Sequence, residues 1–301
     1  MRTHSQEPAQ KNDDTSLCYL VDRDQFAPLT QFSESVEKKF GAPYSLCMEL
    51  GQYCNFRCRI CISDSGPTAV KCSDWVLPAL ANLHSTFGPL RIVWSGGEPT
   101  IYQDLAILLD KSATLGNSNT LVTNASRFVE GLSVDWIDIS IYGYSEESFR
   151  KYTSSPLFKV CAKNTRLYAN KYPRVSASFV LGVHGVHELK LLADFAVEAG
   201  IRRLKFHRLS RAGRIIDQRL EDSTEDEIHA LREYLSMLPV DATFTRTKSS
   251  NQKRAGYFVA KPPGLLTNSE MAISLNEADQ LREGVNKYSM LNRSLFSPSE
   301  A

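Results

Sequence analysis

No stretch of the sequence approaches the roughly 20 consecutive apolar residues that a membrane-crossing helix needs. The opening segment, residues 1–15, is polar and lacks the apolar core of a secretory signal. The expectation is a cytoplasmic protein whose thiols stay reduced. Net charge is also lacking, with 35 Lys and Arg against 34 Asp and Glu. A balance of +1 offers no overall pull toward nucleic acid or an anionic membrane, so neither is an expected partner. An apolar fraction of 42% excludes a wholly disordered chain, and no repeat or fibrous period is present. Paired, evenly spread cysteines are missing too: of seven, three fall within eight residues and none follows Cys161. Clustering of that kind favours metal or cluster ligation over a disulfide framework.

Three segments are expected. Residues 1–43 read as a polar leader and a short extension, in which Cys18–Lys39 regains apolar character as a short helix or a hairpin. Residues 44–215 read as the core, and residues 216–301 as a small C-terminal appendage. In the core, β-rich runs at Tyr44–Leu50, Leu90–Trp94, Asn119–Thr123, Trp136–Tyr142, Val175–Val183 and Arg203–Leu209 alternate with helical periodicity. Helices are predicted over Trp75–Leu83, Leu105–Leu115 and Leu189–Ala199, the last stopped by Gly200. That alternation predicts an α/β fold, a partial (βα)6 barrel with a small α/β appendage. In the appendage, Ala242–Thr247 and Tyr257–Val259 read as strands, Pro262–Gly264 as a turn and Glu277–Val285 as a helix. The last residues, Ser294–Ala301, read as frayed.

Loops after the C-terminal ends of parallel strands build active sites. Here they carry the cysteine cluster, SGGEPT, TNAS, YGYS, GVHG and SRAGR. Cys54, Cys58 and Cys61 directly follow the first strand, and three thiolates so spaced can converge on one [4Fe–4S] cluster, leaving an iron free. Zinc is the rival reading, although a closed zinc site needs a fourth ligand and the next His or Cys is Cys72. Arg57 and Arg59 would offset part of a thiolate-bound cluster's negative charge.

This CxxxCxxC followed by Gly96-Gly97-Glu98-Pro99 resembles the radical S-adenosylmethionine superfamily, over roughly residues 44–214. The resemblance implies two cofactors, one cluster on the three cysteines and S-adenosylmethionine on its open iron. It implies reductive cleavage to a 5′-deoxyadenosyl radical and hydrogen abstraction from substrate. It also implies an electron donor such as flavodoxin or ferredoxin.

Within the resemblance, the loop Ser95, Gly96, Gly97, Glu98 and Pro99 would receive the methionine ammonium, since a cation wants carbonyl and carboxylate oxygens. Asn124 and Ser140 would face the cofactor, the alternatives being an Asn that supports a tight turn and a buried, backbone-bonded Ser. Arg208, Arg211 and Arg214 would offer one guanidinium to the cofactor carboxylate, or to a substrate anion. Tyr152 stands where relatives often have an arginine, and Ile60 where they have an aromatic residue. His184, His187 and His207 read as surface or hydrogen-bonded residues. Cys18, Cys47, Cys72 and Cys161 read as buried or spare thiols, with Cys72 the outside candidate for a radical relay. Without cysteines after Cys161, the appendage cannot hold an auxiliary cluster on its own thiolates. The SIYG and RLSRAGR segments lean toward a peptide or peptide-derived substrate. A small metabolite such as a nucleoside, nucleotide or sugar is the alternative, and a non-catalytic iron–sulfur or zinc redox sensor is the alternative of another class.

Overall fold

The computed structural model describes residues 18–22, 25–28, 45–69, 71, 73–209, 212–215, 219–245, 257–261, 265–267 and 272–274. The chain divides into two units, Met1–Phe40 and Gly41–Ala301. In the first, β1 (Cys18–Asp22) and β2 (Gln25–Pro28) pair antiparallel, the hairpin rather than the helix of the two expected forms.

The second unit alternates strand and helix. Its elements are β3 (Ser45–Glu49), α1 (Val76–Phe87), β4 (Arg91–Ser95), α2 (Leu105–Thr114), β5 (Ser118–Thr123) and β6 (Trp136–Ser140). After them come α3 (Glu146–Thr153), α4 (Phe158–Lys171), β7 (Val175–Val180), α5 (Val186–Glu198), β8 (Arg203–His207), α6 (Glu225–Ser236) and β9 (Asp241–Phe244). Strands β3 to β9 lie side by side in chain order and pair parallel. β10 (Tyr257–Lys261) pairs parallel with the other side of β3, and β11 (Leu265–Thr267) and β12 (Ala272–Ser274) follow antiparallel. Among the described residues the sheet ends at β9 and β12 and does not close, so the barrel is partial.

The six core strands agree with the predicted runs to within a few residues. β9, predicted within the appendage, extends the core sheet by one more parallel strand. The predicted turn Pro262–Gly264, the helix Glu277–Val285 and the frayed end lie outside the described residues.

Helix spacing explains how the sheet is covered. Val76, Ala79, Leu80 and Leu83 on α1, and Leu105, Leu108 and Leu109 on α2, recur at helical intervals and are buried. Leu189, Leu192, Ala193 and Ala196 do the same on α5. Each such leucine contributes about 1.5–3 kcal/mol by leaving water. α5 gives way at Gly200, whose φ of 96° an L side chain rarely adopts. α6 starts at a reciprocal cap between Thr224 and Glu227, which satisfies two otherwise orphaned groups. Among the described residues no helix is long and apolar enough to cross a membrane.

Candidate active site

The loop leaving β3 alternates in burial: Cys54, Phe56, Cys58 and Ile60 turn inward, while Asn55, Arg57 and Arg59 are exposed. Phe56 packs edge-on against Phe149 with ring centroids 5.6 Å apart. Cys54, Cys58 and Cys161 share that apolar cluster, and Cys61 packs against it. Two sulfurs already accept hydrogen bonds. Cys54 Sγ receives the Phe56 N–H at 3.4 Å and the Asn124 side-chain amide at 3.8 Å. Cys61 Sγ receives the Ser65 N–H at 3.3 Å and lies 3.4 Å from Ser63 Oγ. Burial pushes the Cys54 thiol up to about 12 and Cys58 higher still, with Arg214 pulling Cys58 the other way. Ionised, these sulfurs would need a cationic partner in place of the water they have lost. Among the described residues no group of three or more His, Cys, Asp or Glu side chains closes around a single metal ion.

The Gly96–Gly97 turn lies directly on this loop. Gly97 N–H donates to Gly51 O at 2.7 Å and Glu98 N–H to Tyr53 O at 3.0 Å. A Cβ on Gly97 would stand 1.9 Å from Tyr53 O, and one on Gly96 2.6 Å from Gly51 O. Only residues without side chains permit that approach. Glu98 is 1% exposed, and its carboxylate accepts four hydrogen bonds. Oε1 takes the Thr100 N–H at 3.1 Å, the Thr100 hydroxyl at 2.6 Å and the Thr123 hydroxyl at 2.6 Å. Oε2 takes the Asn124 N–H at 2.7 Å. Burial pushes the Glu98 carboxyl above the ordinary range, and these donors oppose the push. Glu98 thus pins the end of β5 to the turn after β4, and Asn124 continues the chain of contacts to Cys54. Three strand ends are locked together around the cysteines.

A model of the Radical SAM superfamily matches residues 48–196, which contain the three cysteines, the Gly-Gly turn, Glu98 and Asn124. The chain belongs to that superfamily. Its sequence is similar to a probable GTP 3′,8-cyclase of Metallosphaera sedula, 24% identical over 58% of this chain and 59% of that protein. It is also similar to the PqqA peptide cyclase of Rhodopseudomonas palustris, 32% identical over 31% of this chain and 25% of that protein. The chain therefore spans under two thirds of the length of either relative. Streptococcus suis SuiB bound to S-adenosylmethionine shares the fold, with a TM-score of 0.64 at 14% identity, covering 90% of this chain and 73% of SuiB. The protein anSMEcpe with bound AdoMet does so with a TM-score of 0.62 at 13% identity, covering 85% of this chain and 84% of that one.

In this radical SAM chain, the described arginines of the basic loop after β8, expected to face a cofactor, have protein partners. Arg208 is turned to protein partners: the Ser223 carbonyl at 2.8 Å, Asp222 at 3.5 Å, and Glu225. Arg214 grips the cysteine loop, donating from Nε to Cys58 O at 2.7 Å and from its terminal nitrogens to Asp64 Oδ1 and Ser65 O, both at 2.6 Å. Its own N–H donates to Cys61 O at 3.0 Å. Both guanidiniums already have acceptors because the polypeptide brings carbonyls and carboxylates to them first. Arg211 and Cys72 lie outside the described residues, as does the Cys18 side chain. Ser140, at the end of β6, sits in register with Ser178 and is hydrogen-bonded to the hydroxyl of the half-buried Tyr142. Pro99 opens a single 3-10 turn capped by Glu98, and Ser95 O accepts the Leu50 N–H at 3.1 Å.

Some groups carried no signal as sites in the sequence. Ser63 and Ser65 serve the Cys61 sulfur, and their place just past the third cysteine was the available clue. Asp138 accepts from Ser176, Ser178 and Lys205 at 2.8–3.2 Å, and Ser178 meets His207 at 3.2 Å. Alternation along β6, β7 and β8 puts Asp138, Ser178, Lys205 and His207 on one face. His207 is thus hydrogen-bonded as expected. His184 is 3% exposed with Nδ1 3.7 Å from Glu188, and burial lowers its basicity. Tyr152 donates to the same Glu188 at 2.8 Å.

Proposed function

We propose that Cys54, Cys58 and Cys61 hold one [4Fe–4S] cluster and that the chain reductively cleaves S-adenosylmethionine to begin hydrogen abstraction from a substrate. The observation that carries this reading is the locking of three strand ends around three cysteines, two buried and one half-buried, through Glu98 and Asn124. The donor set fits the group: soft sulfurs, two of them receiving N–H bonds of the kind that tune clusters, beside the Arg214 cation. When bound, the reduced cluster supplies the electron that splits the sulfonium into methionine and a 5′-deoxyadenosyl radical.

The chain's own residues hold and orient. Carbonyls of Ser95, Gly96 and Gly97, and the second lone pair of Glu98 Oε2, offer acceptors to the methionine ammonium. Asn124 and Ser140 offer hydrogen-bond partners to the rest of the cofactor. Apolar packing of Phe56, Phe149 and Phe158 keeps water from the sulfurs. An electron donor such as flavodoxin or ferredoxin would deliver the electron in the reducing cytoplasm.

For the substrate, the reading favours a peptide or peptide-derived molecule. It is supported by similarity to a PqqA peptide cyclase and by the fold shared with SuiB, which has been solved bound to its precursor peptide SuiA. A nucleotide is the second reading, supported by similarity to several GTP 3′,8-cyclases over longer stretches. Anaerobic reconstitution tests the core of the proposal. About four irons per chain are expected, since one cubane takes three thiolates and S-adenosylmethionine here. With dithionite, 5′-deoxyadenosine should form, and the Cys54→Ala/Cys58→Ala/Cys61→Ala variant should form none. A loaded cluster that never yields the nucleoside would favour a redox sensor.

A further inference from the structure

We infer that Arg214 is a positioning residue for the cluster, a latch that holds the cysteine loop in its ligating shape and sets a positive charge beside Cys58. This rests on the cluster assignment above, and the geometry is specific. One guanidinium spans the loop from Cys58 O to Ser65 O, with Asp64 between them, at 2.6–2.7 Å throughout. Arg214 N–H adds a fourth tie to Cys61 O. The preceding Gly213 lies so close that a Cβ there would stand 2.4 Å from Cys61 O and 2.6 Å from Ile62 O. Its φ of 56° lies in the left-handed region as well.

Each grip acts through a neighbour. Cys58 O belongs to a ligand residue, so fixing that carbonyl fixes the direction from which its side chain leaves the backbone. Ser65 O belongs to the residue whose N–H donates to Cys61 Sγ at 3.3 Å. Holding Ser65 therefore holds a hydrogen bond to a second ligand, and such bonds and nearby charges set cluster potential. A lysine could keep the charge but not the planar, three-way fork.

The test compares Arg214→Met and Arg214→Lys with the wild-type chain. In the metal-free protein, hydrogen exchange at Cys61 and Ser65 should quicken in both variants. This readout does not depend on the cluster. After anaerobic reconstitution, iron release to a chelator should accelerate about tenfold in Arg214→Met, the worth of one lost charge-assisted contact. Its midpoint potential, from an EPR-monitored titration, should move to more negative values. Arg214→Lys should keep the wild-type potential yet release iron faster. A merely structural role would lower melting temperature and leave the potential unmoved, which would overturn the tuning part. If Arg214→Met does not fold, the split in Arg214→Lys decides, and wild-type exchange and release in Arg214→Lys would overturn the latch. Wild-type chain that binds no iron would instead bring down the cluster assignment, while the exchange result still judges the loop.

Discussion

Replacing Glu98 by Gln changes one buried oxygen into an amide nitrogen and tests how the strand ends are locked. Both carboxylate oxygens face a backbone N–H, Thr100 N on Oε1 and Asn124 N on Oε2. Neither backbone donor can reverse its role. Whichever way the glutamine amide turns, its NH2 must oppose a buried N–H. The lower-cost choice keeps the carbonyl on the three-donor side and sets the NH2 against Asn124. That loses one charge-assisted bond and leaves a buried donor unsatisfied, about 2–3 kcal/mol together. At roughly 2–4 °C per kcal/mol for a large domain, the metal-free protein should melt about 4–12 °C lower. Thr123→Val, which removes a hydroxyl donor and leaves the buried Ala125 N–H without its acceptor, should cost about 1–3 kcal/mol. Because Thr123 donates to the carboxylate itself, the double variant should lose less than the sum. Urea unfolding of the four proteins under anaerobic conditions gives every number. A Glu98→Gln variant within about 0.5 kcal/mol of wild type would refute the reasoning, since it would mean that the buried donors find other partners.

Three further outcomes follow from the geometry. Gly97→Ala should push the turn off Tyr53 O, which lies 1.9 Å from the added carbon, and weaken S-adenosylmethionine binding at least about tenfold by calorimetry on reconstituted protein. Wild-type affinity would show that the turn relaxes freely. Arg208→Ala should lower stability by about 1–2 kcal/mol through its lost contacts with Ser223 and Asp222, with cofactor affinity unchanged. A tenfold loss of affinity would return Arg208 to the cofactor. Burial would raise the Asp138 carboxyl, but Lys205, His207 and two serine hydroxyls outweigh it and hold it below the usual range. Its contribution is therefore fully present above the unfolded carboxylate value near ~3.9 and is lost as pH falls through the lower folded value. Asp138→Asn should flatten stability against pH below about 4 and cost about 2 kcal/mol at neutral pH by leaving Lys205 unpaired. Urea midpoints from pH 3 to 7 check both.

The strands were legible because each is a short β-branched or aromatic run set between helical spacings, and parallel pairing in chain order follows from that alternation. The cysteines and the Gly-Gly turn were legible because few chemistries ask for that spacing. The partners of the arginines were not. Arg214 meets Cys58 across 156 positions and Arg208 meets Ser223 across a loop, and no local pattern reports which acceptor a long side chain reaches. The Asp138 group was hidden for a similar reason. Its members come from three strands, and each alone reads as an ordinary alternating residue. The pairing of β9 with β8 was hidden because its burial is partial and its four residues alternate like an edge strand.

The separation between Cys58 and Arg214 also has a consequence in time. A ribosome adds roughly 5–20 residues per second, so about 8–30 s pass between making the cysteines and making the residue that fastens them. Throughout that interval the nascent chain offers three thiols on an unfastened loop. Iron delivered then meets ligands that have not been set, and oxidants meet sulfurs that have not been buried. Loading after release from the ribosome is the order that this topology rewards.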